Sequence, residues 1–208
     1  MAKLFHALIF LATAAVAAPA AAQPAPSQDP TVVPMQAPAK LSVCFTPTSP
    51  CSHVLLSQIG AAKKEILVHA HNFTNRAIMK ALIEAKGRGV DVEVIMNARH
   101  ERNQSRALRT LVKAGVPVFV DDKVKVAHNK VMIFDRSSAT TGSYNLTYSA
   151  EKRNAENLLL IQDSPAIVNA YVANWQSRKA VSHPARVAPK AANDNNPKAD
   201  DNDDDDEN

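Results

Sequence analysis

His128-Asn129-Lys130-Val131-Met132-Ile133-Phe134-Asp135 runs on to Gly142-Ser143-Tyr144-Asn145, and this pair of stretches decides both the fold and the chemistry. Val131 and Ile133 alternate with Met132 and Phe134, the pattern of a strand buried on both faces. Side chains repeat every two residues along a strand, so a strand over Lys125–Asp135 points His128 and Lys130 to one face, their Cα atoms roughly 6.5–7 Å apart. Gly142-Ser143 then breaks the next strand and turns Asn145 back toward the same end. An imidazole attacks phosphorus or protonates a leaving oxygen because it titrates near neutrality. An ammonium and a carboxamide beside it hold the non-bridging oxygens of a phosphate. No thiol or acidic cluster is required, so the residues call for no metal and no cofactor.

The spacing H-x-K, four residues, Asp, six residues, G-S-x-N, followed by Asn154-Ala155-Glu156-Asn157, resembles the phospholipase D superfamily. Within it, the length and layout are similar to the single-motif bacterial endonucleases. The resemblance covers roughly residues 41–178. It implies that His128, Lys130, Asn145 and Glu156 are catalytic, and that Lys130, Ser143 and Asn145 bind phosphate. It gives Glu156 the task of holding an active-site histidine, that of a partner chain, in one tautomer. Ser143 either bonds phosphate or ties the turn. Asp135 and Gly142 are structural members of the motif. Asp135, seven residues beyond His128, faces the other way and is expected to brace the fold. The superfamily uses two motifs per site, and this chain has one and no internal repeat. The resemblance therefore implies a homodimer whose two-fold axis joins two half-sites.

Around this centre the chain reads as an α/β domain over 40–181, a mixed sheet with helices on both faces. Leu41–Phe45 is a strand, and Ser49-Pro50 offers a cap with proline at the first helical position. Glu65–His71 and Val90–Met96 are strands separated by a helix from Asn75. Glu101–Ala114 is one long helix carrying Arg102, Arg106, Arg109 and Lys113. Val116–Val120 and Glu156–Gln162 are further strands, and Ser164-Pro165 opens a final helix. His69 and His71 alternate on their strand, as pocket-lining or structural residues more readily than as metal ligands.

Met1–Ala22 has the basic start, apolar centre and Ala20-Ala21-Ala22 end of a signal peptide, which directs the protein to the periplasm or the exterior and leaves no stable membrane insertion after cleavage. Residues 23–39 are a Pro/Ala-rich linker. In an oxidising compartment Cys44 and Cys51 form a disulfide. The alternative is a zinc site with His53, or with His69 and His71.

The 24 basic and 20 acidic side chains are unevenly spread. Asn193–Asn208 holds eight acids against Lys198, and residues 182–208 read as a disordered acidic tail. The remainder is strongly basic, which suits a polyanion as partner. The composite expectation is an exported, metal-independent nuclease acting on DNA and also RNA. A phospholipase acting on phosphatidyl head groups or cardiolipin is the alternative enzyme. A nucleic-acid-binding protein that has lost activity is the alternative of another class.

Overall fold

A computed structural model describes residues 39–188. The expected leader, nearly all of the linker and the acidic run lie outside the described residues. Strands β2 (Glu65–Ala70), β3 (Asp91–Asn97) and β4 (Val118–Asp121) are parallel neighbours. The connections between them carry α2 (Arg76–Gly87), α3 (Arg99–Arg102) and α4 (Arg106–Lys113). On the other side of β2 the chain lays down β5 (Lys130–Phe134), β6 (Ser138–Gly142) and β7 (Asn157–Gln162), each antiparallel to its neighbour. Strand β1 (Lys40–Phe45) closes the β7 edge and β8 (His183–Pro184) the β4 edge, giving the order β1-β7-β6-β5-β2-β3-β4-β8.

Each face is closed by helices because the central strands β2 and β5 carry two apolar sides. On β5, Met132 and Phe134 join the larger core with Ile66, Val68, Val92 and Val94. That core is capped by α1 (Ser52–Ala61), α2 and α4 through residues such as Leu55, Ile59, Ile78, Leu82 and Leu108. Val131 and Ile133 point the other way, to Leu67, Ile95 and Ala139 under Val168, Val172 and Trp175 of α6 (Pro165–Val181). Trp175 also donates its indole N–H to the Val68 carbonyl at 2.9 Å, so the ring's polar edge is satisfied while its body is buried. Asn75 and Ser105 cap α2 and α4 with their side-chain oxygens.

Several expected boundaries move. The strand expected over Lys125–Asp135 begins only at Lys130, because its pairing with β2 ends at Ala70 opposite Lys130. His128 therefore sits in the connection from β4. The helix expected over Glu101–Ala114 is split: Gln104 takes a left-handed φ of 48°, and Ser105 restarts the chain as a new cap. Helix α1 begins at Ser52, with Cys51 at its cap position. The chain stays ordered past 181: β8 pairs with β4, the Ala185 amide donates to the Val118 carbonyl, and those of Arg186 and Ala188 to Glu101 and Gln104. A short helix, α5 (Tyr148–Lys152), follows the Gly142 turn and has no counterpart in the expected elements.

The Cys44–Cys51 disulfide is formed, with Cα atoms 5.7 Å apart, and joins β1 to the start of α1. That bond removes both thiolates as zinc ligands. No helix among the described residues is long and apolar enough to cross a membrane.

Candidate active site

Four chain segments meet at one end of the sheet. The register pairs Ala70 with Lys130, so the end of β2 lies beside the start of β5. It pairs Met132 with Thr140 and Gly142 with Leu158, so the end of β6 and the start of β7 lie next to that. His71-Asn72, His128 to Lys130, Gly142 to Asn145 and Asn154 to Asn157 thus gather on four adjoining strand ends.

His128 is exposed. The Lys130 ammonium lies 3.0 and 3.1 Å from its two ring nitrogens and donates to its carbonyl at 3.2 Å. A neutral imidazole keeps a lone pair on one ring nitrogen, and that is the form able to attack phosphorus. A second imidazole, His71, stands 4.3 Å from the His128 ring between centroids, tilted by 53°. Its backbone is fixed on both sides. The His71 amide donates to the Asn129 carbonyl at 3.0 Å, and its carbonyl meets His100 Nε2 at 3.0 Å. A carbonyl only accepts, so Nε2 carries the proton and Nδ1 of His100 accepts from the Ser105 hydroxyl at 2.8 Å.

Gly142 has φ +150°, and a Cβ there would lie 2.2 Å from the Asn157 carbonyl oxygen. The motif needs glycine for this close approach, because the same oxygen accepts from the amides of Ser143 and Tyr144 at 3.1 and 3.2 Å. Ser143 donates its hydroxyl to Glu156 Oε2 at 2.5 Å and accepts from the Asn157 amide at 3.0 Å. Asn154 donates to the other Glu156 oxygen at 3.1 Å. Thr46 fixes the backbone on which that carboxylate stands. Its amide donates to the Glu156 carbonyl, and its hydroxyl accepts from the Glu156 amide and donates to the Asn154 carbonyl. Asn145 is buried, and the next residue, Leu146, is bonded to Asn72, Thr74 and Asn75 beyond the end of β2.

Two supports of this site carry no recognisable sequence pattern. Glu151 is a buried carboxylate that accepts from the Ser52 amide at 3.0 Å, the Ser52 hydroxyl at 2.8 Å and the Tyr144 hydroxyl at 2.7 Å. Burial, then the hydrogen bond to Glu151, pushes the Tyr144 phenol well above its ordinary value. Asp121, fully buried, takes both arms of Arg178 at 2.7 Å and also accepts from the Lys123 amide. It therefore anchors the connection leading to His128 onto α6. His69 is buried on that same side, apart from His71; burial first, then the nearby Arg178, lowers it to about 4 against the opposing pull of Asp121.

Asp135 is at the far end of β5, in a left-handed turn with φ 52°. It accepts from the amides of Lys63, Lys64 and Glu65 at 2.9, 2.7 and 3.0 Å. Burial alone would raise its carboxyl, but these backbone donors hold it below the usual range.

At the site end, Arg76, Arg102, Lys123, Lys125, Lys152 and Arg153 are exposed on the segments that follow β2, β3, β4 and the Gly142 turn. Val124 and Val126, alternating with Lys123 and Lys125, are also exposed.

The cardiolipin synthase PLD-like domain family matches residues 55–178. A phospholipase D of Rickettsia bellii is 40% identical over 141 residues, 68% of this chain and 70% of that protein. A mitochondrial cardiolipin hydrolase of Xenopus laevis is 30% identical over 141 residues, 67% of each chain. The crystal structure of Nuc from Salmonella typhimurium, a phospholipase D family member, matches with a TM-score of 0.67 at 33% identity, over 72% of this chain and 99% of Nuc. Sheet order, motif spacing and these likenesses agree, and the chain belongs to the phospholipase D superfamily of phosphodiesterases.

Proposed function

We propose that the protein is an exported, metal-independent endonuclease that cleaves DNA and RNA as a two-fold homodimer. The observation that carries this reading is a single half-site, His128, Lys130, Asn145 and Glu156 at one sheet end, ringed by exposed arginines and lysines. A polyanionic strand meets such a rim with favourable charge and a steep salt dependence. The similarity to Nuc supports the same choice of substrate. Export rests on Met1–Ala22 and is supported by the Cys44–Cys51 bond.

In this mechanism His128 of one protomer attacks phosphorus in line, and the ester oxygen opposite leaves as the N–P bond forms. The partner's His128 gives that oxygen its proton. Water then attacks phosphorus, the partner's His128 takes the water's proton, and the N–P bond breaks to free the phosphate end. Lys130 and Asn145 hold the non-bridging oxygens, on which negative charge accumulates. Glu156, set by Ser143 and Asn154, orients an imidazole across the two-fold axis, and its own backbone is fixed by Thr46.

One observation favours a second reading, a phospholipase acting on anionic head groups: Val124 and Val126 stand exposed in alternation with Lys123 and Lys125 just ahead of His128, an apolar and basic edge suited to a lipid surface. Plasmid DNA, RNA and labelled cardiolipin vesicles, each incubated with the full chain in excess EDTA, separate the two. Cleavage of nucleic acid alone supports the nuclease, and turnover of vesicles alone replaces it. Mixing His128→Ala chains with wild type tests the dimer: activity falls below simple dilution if two histidines are needed per site.

A further inference from the structure

The segment around Asn145 carries two tyrosines with opposite fates. Tyr144 is buried with its hydroxyl on Glu151, whereas Tyr148, the first residue of α5, is 59% exposed. The backbone under Tyr148 is nevertheless well held. Thr147 caps α5 through the Ala150 amide at 3.0 Å, the Tyr148 amide reaches Thr74 Oγ1 at 3.4 Å, and the Leu146 carbonyl accepts from Thr74 and Asn75. A fixed Cα thus presents a flat apolar ring to solvent at the phosphate end of the sheet. The Arg153 guanidinium lies 5.6 Å from the ring centroid, and Lys152 beside it is exposed.

A ring with a cation against it, next to a phosphate site, is the surface an unpaired nucleotide needs: a π-face for the base and positive charge for its backbone. Three residues of chain reach at most about 10 Å, so the ring stands within one or two nucleotides of Asn145. In a duplex the bases are already stacked and paired, and only sugar and phosphate would meet the ring. We propose that Tyr148, backed by Arg153, docks an unpaired nucleobase beside the scissile phosphate and makes single-stranded nucleic acid the preferred substrate. This rests on the nuclease reading above and adds a strand preference and the residues that set it.

The test uses the full chain with three probes: a single-stranded oligothymidylate, a duplex of equal length, and bis(p-nitrophenyl) phosphate, a diester with no base. Tyr148→Ala should raise KM for the single strand by about tenfold, the worth of one stacked base, with kcat unchanged. The duplex and the small diester should be cleaved as by wild type. Tyr148→Trp should restore or improve KM, and Arg153→Ala should weaken it less than Tyr148→Ala does. Equal single-strand KM for Tyr148→Ala and wild type overturns the proposal and leaves the nuclease reading standing. So does an equal loss on all three probes, or a loss that accompanies a changed mass in light scattering, since either makes Tyr148 a structural or subunit-contact residue. Wild type that ignores both nucleic acids while turning over cardiolipin vesicles overturns the nuclease reading, and this inference with it.

Discussion

Lys130 begins β5 and Asp135 follows its last residue, so one motif spans the strand and puts its members in unlike surroundings. Asp135 is met by three backbone amides, donors that cannot move without unfolding the turn. Next to it, Arg136 pairs with Glu65, and charge is neutralised locally. At the other end Lys130 touches an exposed imidazole, and the surrounding basic side chains face solvent. A carboxylate saturated by the backbone does no chemistry on a substrate, but it fixes where β5 stops relative to β2. The strand then carries that fixed register to Lys130, opposite Ala70. The motif's length thus reflects a division between bracing and reaction.

The comparison breaks most visibly at His128. His128→Ala or His128→Asn should lower hydrolysis of a diester by more than about a thousandfold, because the proposed mechanism loses its nucleophile and its acid–base partner together. Thermal unfolding followed by circular dichroism should match wild type, since the ring is exposed. Residual turnover near wild type at an unchanged fold would remove His128 from the chemistry.

Glu151→Ala should act in the opposite sense, on stability before rate. It strips an acceptor from the Ser52 amide, the Ser52 hydroxyl and the Tyr144 hydroxyl, all in a buried place. Donors left unpaired there cost about 1–3 kcal/mol each before relaxation, so a loss of about 4 kcal/mol in urea unfolding is expected. Glu151→Gln keeps one acceptor and should cost less. A wild-type midpoint for Glu151→Ala would mean that water replaces the carboxylate.

What could be read beforehand divides along the same line. The strand buried on both faces, the mixed sheet and the convergence of His128, Lys130 and Asn145 follow from local spacing, because each piece lies within a few residues of a strand end, whereas Ser143 and Glu156 join them through the resemblance to the phospholipase D superfamily. Contacts made across long stretches of chain do not. Glu151 meets Ser52 across 99 residues, Thr46 meets Glu156 across 110, and His71 reaches His128 only through the pairing of β2 with β5. No periodicity announces any of them. The later start of β5 has a related reason. Val124 and Val126 alternate with lysines as a strand would, but no neighbouring strand extends far enough to pair with them. The break at Gln104 depends on one left-handed residue, a choice made by the packing of α3 and α4 and not by helix propensity.

His69 should make acid weaken the fold in a defined window. Its lowered value, about 4, means the folded chain keeps the ring neutral where the unfolded chain, titrating near 6.5, takes up a proton. Stability should be at its full value above pH 6.5 and fall as pH drops to about 4, by roughly 3 kcal/mol in all. His69→Leu should flatten urea-unfolding free energies across that window. A wild-type curve already flat between pH 6.5 and 4 would show that Asp121 accommodates the charged ring.

Asp135→Asn is expected to have the smallest effect and to report on the bracing end alone. The side chain keeps one oxygen for the Lys63, Lys64 and Glu65 amides but loses its charge, and a charge-assisted bond is worth more than a neutral one. The group is partly exposed, so the loss should be about 1–2 kcal/mol at neutral pH. Its sign with pH is separable from that of His69. The folded carboxyl lies below its ordinary 3.8, so its contribution is intact above that value and disappears only as pH falls further, through the depressed folded value. Wild type and Asp135→Asn should therefore differ by a constant amount from pH 7 down to 4 and converge below it. Rate constants for a small diester, measured well below the melting temperature, should be nearly equal for the two. A large fall in kcat with normal stability would mean that the far end of β5 reaches the chemistry, and that bracing and reaction are not divided between the two ends.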